Sequence, residues 1–224
     1  RIPFSIPDDK MRVMANETTQ WQPDFLAVDP VHGMWFALYC EQNNIQFPSL
    51  RFIISSYEYT SVIHRRIMER VFGVPVINLY GSSETGHLLI QNGSDELIPS
   101  PETAYLELVD CDNRGVGELL VTTRTNKYLP LIRYEIGDLA EATPHGYRIH
   151  GRKRDALVDK NNHCVTTRQV DEIFRGIENI CHYQVRQSSD GKVEVLLLPE
   201  NSNSTNAGTT VEVSQRLEKL LGKS

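Results

Sequence analysis

The stretch RFIISSYEYTSVIHRRIMERVFGVPVINLYGSSE, residues 51–84, has the pattern of a strand, an amphipathic helix and a second strand. The apolar runs RFIIS and PVINLY predict buried strands. Between them, Ile63, Ile67 and Val71 recur every four residues, which places them on one face of a helix. Two apolar strands joined by a helix predict a βαβ unit with parallel strands.

The second strand runs into Tyr80-Gly81-Ser82-Ser83-Glu84. A glycine after a strand lets the backbone approach a ligand closely. Serine hydroxyls can donate to phosphate oxygens, and Mg²⁺ usually takes only one or two protein carboxylates. Tyr80 offers a flat apolar face to a base. Taken alone, the motif is explained by an ordinary turn or by a phosphate and metal site, and the turn is the commoner of the two.

Before this unit, VHGMWFALY (31–39) predicts a helix with one apolar face. After the unit, the pattern of apolar and polar residues changes twice along the chain. From residue 91, the short alternating segments AYLELVD, GELLVTTR, YLPLIRYEIGDLAEA and GYRIHGR predict an antiparallel sheet or a small barrel. We therefore expect three parts, residues 1–90, 91–154 and 155–224.

The third part has its own elements. ALVDKNNHCVT predicts a hairpin around Asn161-Asn162, and RQVDEIFRGI (168–177) predicts a helix. Two strands joined at Asp190-Gly191 follow. A polar loop, NSNSTNAGTT (201–210), then leads to a closing helix, VSQRLEKLL.

Two further motifs carry possible ligand contacts. In PLIRYEIGDL (130–139), Asp138 could accept both hydroxyls of a ribose, although Gly137-Asp138 is equally a turn. In GRKRDAL (151–157), the fork of Arg152 matches phosphate or ribose oxygens, although a solvated charge run is the commoner explanation.

Composition excludes several classes of protein. The 224 residues carry a formal net charge of −6 with 40% apolar residues, and no basic block stands out, so nucleic acid and anionic membrane are not expected as main partners. The four cysteines are far apart, which favours neither a zinc site nor a disulfide framework and fits a cytoplasmic location. No apolar run approaches the ~20 residues that cross a bilayer.

In this order and spacing, YGSSE, GELLVTTRTNKYLPLIRYEIGDL and GRKRD resemble the AMP-forming, adenylate-forming superfamily of acyl- and aryl-CoA synthetases. The pattern P-L-I-R-Y-x-x-G-D-L is typical of its phenylacetate–CoA ligase branch. The resemblance runs from about Asp24 to Ser224 and implies the C-terminal half of such an enzyme. It implies the end of a large α/β domain with a small β-barrel part, then a small α+β domain after a hinge.

The resemblance implies a role for each motif. Tyr80 and the backbone near Gly81 would flank the adenine, with Asn78 and the turn at residues 56–58 nearby. The implied nucleotide-binding residues are Ser56, Tyr57, Glu58, Asn78, Tyr80, Gly81, Ser82, Ser83, Asp138 and Arg152.

The implied catalytic residues are Ser83, Glu84 and Arg152. Ser83 would contact phosphate, Glu84 would bind Mg²⁺, and Arg152 would reach the ribose or a phosphate. Asp138 would hold the ribose hydroxyls, and Asp155 would be the hinge. The implied reaction joins a small carboxylic acid to ATP, releases pyrophosphate and passes the acyl group to coenzyme A.

Some positions depart from the family pattern. Arg154 replaces the first acid of the usual Gly-Arg-x-Asp-Asp, and Lys160-Asn161-Asn162 replaces the Arg-Gly of the hairpin. These changes leave open an amine, hydroxyl or carrier-protein acceptor, or a non-catalytic AMP-binding protein. The family's phosphate loop is expected upstream of Arg1 and Lys223 does not match its catalytic lysine, so we expect this chain alone to be inactive. The acid and the oligomeric state have no signature in the sequence.

Overall fold

The computed structural model describes residues 6–200 and 207–222 of the chain, and Lys223 and most of the predicted polar loop lie outside these residues. The elements divide into two units, the first ending at Gly81 and the second beginning at Ser82. The three-part division at residues 90 and 154 stays a prediction.

The first unit contains the predicted βαβ arrangement. Its three strands are parallel in the order β1-β2-β3, with Ile54 opposite both Ala27 and Ile77. The parallel pairing of β2 with β3 across a helix confirms the arrangement expected from the apolar periodicity. The elements are α1 (Asp8–Trp21), β1 (Phe25–Val28), α2 (Pro30–Gln42), β2 (Phe52–Ser55), α3 (Val62–Phe72) and β3 (Val76–Ser82).

Helix α2 differs from its prediction, because it is buried on more than one face. The sequence pattern placed Val31, Met34, Trp35, Leu38 and Tyr39 on one face. The buried residues of α2 are instead Pro30, Gly33, Met34, Phe36, Ala37, Leu38 and Cys40. A helix covered on several sides has no polar face to set the period, so the periodicity was misleading here.

Helix α3 agrees with its prediction. Ser61 caps its first turn by accepting a hydrogen bond from the His64 amide, and Gly73 ends it in the left-handed conformation. Ile63 and Ile67 are fully buried. Helix α3 therefore presents the apolar face that the four-residue spacing predicted.

The second unit begins with an antiparallel sheet in the order β4-β5-β9-β8-β7-β6. Its core includes Leu89, Leu119, Val121 and Ala140. This confirms the antiparallel sheet, while closure into a barrel stays a prediction. The strands are β4 (Gly86–Gln91), β5 (Leu97–Pro99), β6 (Ala104–Val109), β7 (Val116–Thr123), β8 (Tyr134–Ala142) and β9 (Tyr147–Arg152).

The rest of the second unit mixes short helices and strand pairs. The 3-10 helix Lys153–Asp155 leads to an antiparallel hairpin of β10 (Leu157–Val158) and β11 (Cys164–Val165). The remaining elements are α4 (Thr167–Glu172), β12 (Ile180–Gln187), β13 (Val193–Pro199) and α5 (Ala207–Leu221).

Two helix boundaries were wrong in the sequence analysis. Helix α4 ends at Glu172, five residues before the predicted end at Ile177, because the chain then makes tight turns through Gly176 at φ +78°. The side chains of Ile173, Phe174 and Ile177 are nevertheless buried. Helix α5 begins at Ala207 and so includes the last part of the predicted polar loop. Within the described ranges, every helix is too short or too polar to span a membrane.

Candidate functional site

Two predicted polar residues of the first unit lie on neighbouring strands. Ser56 directly follows β2 and is buried, and its amide donates to the Val28 carbonyl at 3.0 Å. Asn78 in β3 lies opposite Ser55 in the parallel register. The carboxyl ends of parallel strands are where open α/β sheets bind ligands. The fold therefore brings these residues to a suitable edge.

Tyr57 has an unusual backbone conformation. Its φ is +76° and its side chain is 83% exposed. Left-handed backbone is uncommon for a bulky residue, and such strain clusters at ligand sites. Tyr80 and Gly81, at the end of the first unit, are half-buried.

Glu58 faces a polar cluster that the sequence analysis missed. Asp29 caps α2 by accepting hydrogen bonds from the amides of Val31 and His32, and it lies 3.0 Å from Nδ1 of His32. Desolvation, and then the negative charge of Asp29, raise the pKa of Glu58, while His32 opposes the shift. The aspartate before Pro30 is a recognisable helix cap, but its proximity to Glu58 depends on the tertiary structure.

In the second unit, Ser82 and Thr85 close a turn between them. The Ser82 amide donates to Oγ1 of Thr85 at 3.2 Å, and the Thr85 amide donates to Oγ of Ser82 at 3.2 Å. The two hydroxyl oxygens lie 3.1 Å apart. Ser83 and Glu84, between them, are exposed. Thr85 was missed, although hydroxyl residues three positions apart are a signal for such a turn.

Glu84 is an exposed carboxylate with a lowered pKa. A hydrogen bond from the Ser82 hydroxyl, then one from its own backbone, lower its pKa, and the positive charge of Arg152 adds to this. The carboxylate is therefore ionised at neutral pH. No cluster of three or more His, Cys, Asp or Glu side chains suited to a metal occurs among the described residues. One exposed carboxylate fits Mg²⁺, which completes its shell with water and phosphate.

Asp138 and Arg152 form a pair across two strands. They are opposite one another in the register of β8 and β9, and Nε of Arg152 lies 3.3 Å from Oδ1 of Asp138. Nη1 of Arg152 donates to the Ile136 carbonyl at 2.6 Å. Asp138 is 6% exposed. Asp138 is thus part of β8, so the alternative of a simple turn at Gly137-Asp138 is wrong.

Arg152 ends β9 and the charged residues after it are mostly exposed. Lys153 forms an ion pair with Glu118, which belongs to β7. Asp155 is 59% exposed at the end of the 3-10 helix, with Nε of Arg154 at 3.7 Å. This position agrees with a connecting segment, and the hinge role of Asp155 stays a prediction.

A groove of about 540 Å³ lies between β13 and α5, away from these residues. Its walls include Val195, Leu197, Val213 and Leu217. None of the predicted site residues lines it. The predicted site of the second unit is instead the open surface around Glu84 and Arg152.

Known proteins resemble this chain in sequence and in fold. Protein CapK of Staphylococcus aureus is 29% identical over 213 residues, 88% of this chain and 47% of its own length. A phenylacetate–coenzyme A ligase of Aromatoleum evansii is 26% identical over 221 residues, 90% of this chain and 50% of its own length. The chain thus spans about half the length of these curated relatives. No family model matches the chain.

Solved structures share the fold. A 2-hydroxyisobutyryl-CoA ligase in the postadenylation state, in complex with R3-HIB-AMP, has a TM-score of 0.81 at 16% identity and covers 98% of this chain and 53% of its own. The amide bond synthetase McbA from Marinactinospora thermotolerans has a TM-score of 0.69 at 14% identity, covering 98% of this chain and 50% of its own. The chain is therefore a sequence relative of the phenylacetate–coenzyme A ligases and has the fold of the corresponding part of adenylate-forming CoA ligases.

Proposed function

We propose that the protein activates a carboxylic acid with ATP and transfers the acyl group to coenzyme A. The observation that carries this proposal is the grouping of Glu84, Asp138 and Arg152 in one unit. An exposed ionised carboxylate lies near an arginine that is itself paired with a nearly buried aspartate. The relation to phenylacetate–coenzyme A ligases supplies the reaction class.

Asp138 and Arg152 would hold the ribose. A carboxylate can accept hydrogen bonds from two neighbouring hydroxyls, and Asp138 is held on β8 with its partner Arg152 opposite. The Arg152 guanidinium has donors beyond those used on Asp138 and the Ile136 carbonyl. It is 45% exposed, so a ligand oxygen can reach it.

Ser83 and Glu84 would face the phosphates. Both side chains are exposed on the turn that Ser82 and Thr85 close. The Ser83 hydroxyl can donate to a phosphate oxygen, and Glu84 would hold Mg²⁺. When bound, the cation neutralises negative charge on the phosphates.

Residues of the first unit would bind the adenine. Tyr80 offers a flat face at the end of β3, and Asn78 offers amide donors and an acceptor. The turn of Ser56, Tyr57 and Glu58 follows β2, the strand next to β3. The strained backbone of Tyr57 supports a ligand role for this turn.

The reaction needs positioning more than acid–base chemistry. An oxygen of the substrate carboxylate attacks the α-phosphorus, the bond to the bridging oxygen breaks, and pyrophosphate leaves. The thiol of coenzyme A then loses its proton and attacks the acyl carbon, and AMP leaves. Arg152 would help to fix the anions in line and would offset part of their charge, and Glu84 would hold the Mg²⁺ that offsets the rest. Asp155 would be the hinge between the two half-reactions.

A different acceptor is the second candidate. The β10–β11 turn is organised by Asp159, whose carboxylate accepts hydrogen bonds from the amides of Asn161 and His163, with Asn162 at φ +62°. It lacks the arginine–glycine pair expected in the family. An amide bond synthetase has the same fold. An amine, hydroxyl or carrier-protein acceptor is therefore our alternative, and the cytoplasm is the proposed location.

The test is carboxylate-dependent exchange of radiolabelled pyrophosphate into ATP by the full-length protein, with a panel of aryl and fatty acids. We expect exchange with at least one acid, and its loss in Glu84→Ala and Asp138→Ala. Addition of coenzyme A, amines or alcohols then identifies the acceptor by product mass. Exchange with no acid, together with AMP binding that requires Asp138, would replace this proposal with a nucleotide-sensing protein.

A further inference from the structure

Thr85 and Ser82 form reciprocal hydrogen bonds across the turn. The backbone amide of each residue donates to the hydroxyl oxygen of the other, and the two hydroxyls are in contact at 3.1 Å. Glu84 immediately precedes Thr85, so its backbone lies inside this closed turn. The conformation of Glu84 therefore depends on the Ser82–Thr85 pair.

The Thr85 hydroxyl is satisfied entirely by the backbone and side chain of this turn. Its oxygen accepts from the Ser82 amide, and its proton is donated to the Gly86 carbonyl at 3.1 Å. The Ser82 oxygen accepts from the Thr85 amide in return. Loss of the Thr85 hydroxyl therefore removes the acceptor of the Ser82 amide and opens the turn that carries Glu84.

On the basis of the proposed function, we propose that Thr85 is a positioning residue for the divalent cation. Its hydroxyl accepts from the Ser82 amide and closes the turn, which fixes the backbone that carries the exposed carboxylate of Glu84. Groups that orient a metal ligand typically contribute about 10- to 100-fold to metal affinity. Thr85 therefore affects cation binding without contacting the cation or the nucleotide.

The test uses Thr85→Val, which keeps the shape and removes the hydroxyl, and Thr85→Ser, which restores the hydroxyl. Thr143→Val is the matched control, because the Thr143 hydroxyl accepts a hydrogen bond from the Gly146 amide in another turn, at 3.1 Å. Binding of Mn²⁺ to the full-length protein with a non-hydrolysable ATP analogue is measured by electron paramagnetic resonance. AMP affinity without metal is measured by calorimetry.

We expect Thr85→Val to weaken Mn²⁺ binding about tenfold, while Thr85→Ser and Thr143→Val stay within about twofold of the wild type and metal-free AMP affinity is unchanged. The Mg²⁺ concentration for half-maximal exchange should rise by the same factor, with the maximal rate retained. Unchanged Mn²⁺ binding in Thr85→Val, or an equal loss of metal-free AMP affinity, would overturn the role. If the wild type exchanges with no acid, the proposed function fails, but the Mn²⁺ measurement still decides the role of Thr85.

Discussion

Asp138 and Arg152 are held side by side by the register of two strands. Asp138 is nearly buried and keeps its carboxylate beside an arginine that is anchored on the Ile136 carbonyl. Gly137, next to Asp138, has φ +84°, a backbone conformation that residues with a side chain rarely adopt. The sequence motif predicted both residues, and the strand register places them together.

Asp138→Asn should weaken AMP binding about tenfold, because the amide keeps only one acceptor oxygen and loses the charge that strengthens hydrogen bonds to ribose hydroxyls. Its effect on the free energy of unfolding should stay below about 1 kcal/mol, because Arg152 is half-exposed to solvent, which screens the ion pair, and the asparagine oxygen keeps a hydrogen-bond acceptor beside it. Calorimetry with AMP and urea unfolding measure the two quantities. Asp155→Asn, at an exposed position, is the control; equal losses of AMP affinity in both variants would contradict a specific role for Asp138.

At the scale of elements, the end of strand β9 packs against the start of helix α4. His150 and Gly151 of β9 meet Thr166, the cap of α4, and Thr167, its first residue. Thr166 and Gln169 form a reciprocal capping box, which holds the first turn in place. The end of β9, which carries Arg152, is thus supported by the start of α4.

Gly151→Ala should destabilise the protein by about 3 kcal/mol, because it combines a strained backbone with overpacking. Its φ is +95°, and an added Cβ would lie 2.5 Å from Cβ of Thr167. Gly115→Ala is the matched control: its φ is +79° and nothing lies within 4 Å of an added Cβ. It should cost only about 1 kcal/mol. Equal costs in urea unfolding would show that the contact with α4 is unimportant.

The side-chain amide of Gln187 forms two hydrogen bonds with the backbone of Val158 in β10. Its Oε1 accepts from the Val158 amide and its Nε2 donates to the Val158 carbonyl, both at 2.8 Å. Gln187→Glu should cost about 1–2 kcal/mol at pH 7, because an acceptor then faces the carbonyl. Gln184→Glu, which faces Arg186 on the same strand, is the control and should be near neutral. Hydrogen exchange at the Val158 amide tests whether the loss is local.

At the scale of the whole molecule, polar contacts tie sequence-distant segments of the second unit together. Arg168 forms an ion pair with Asp95, and Nη2 of Arg114 donates to the Cys164 carbonyl at 3.1 Å. His150, buried between these segments, lies 3.2 Å from both Thr166 Oγ1 and Glu141 Oε2. These contacts join residues 91–154 to the part of the chain after Asp155.

Stability should fall as the pH drops from 7.5 to 5.5. Burial lowers the pKa of His150, a shift that Arg168 and Arg114 reinforce and Glu141 opposes, and burial also lowers that of His182. The unfolded state therefore binds more protons below the ordinary histidine pKa of about 6.5, and stability that is complete above this pH is lost below it. Carboxylates with a lowered pKa, such as Glu172 beside Arg175, titrate below this window.

Urea unfolding at the two pH values measures this loss. His150→Gln should show a smaller loss than the wild type, because a histidine whose pKa is lowered by burial no longer titrates. His163→Gln, at an exposed position beside Asp159, is the control and should keep the full loss. An unchanged pH dependence in His150→Gln would show that His150 does not contribute.

Local sequence patterns determined much of this protein. The periodicities of β2, α3 and β3 and the alternation of β6 to β9 could be predicted, because each depends on neighbours a few positions away. The roles of Glu84, Asp138 and Arg152 stay predictions. Only the tertiary structure decided which sides of α2 are buried, where α4 ends, and that His150 contacts Thr166. Those outcomes depend on which surfaces cover a helix and on the register between strands, and a pattern along one segment carries no information about either.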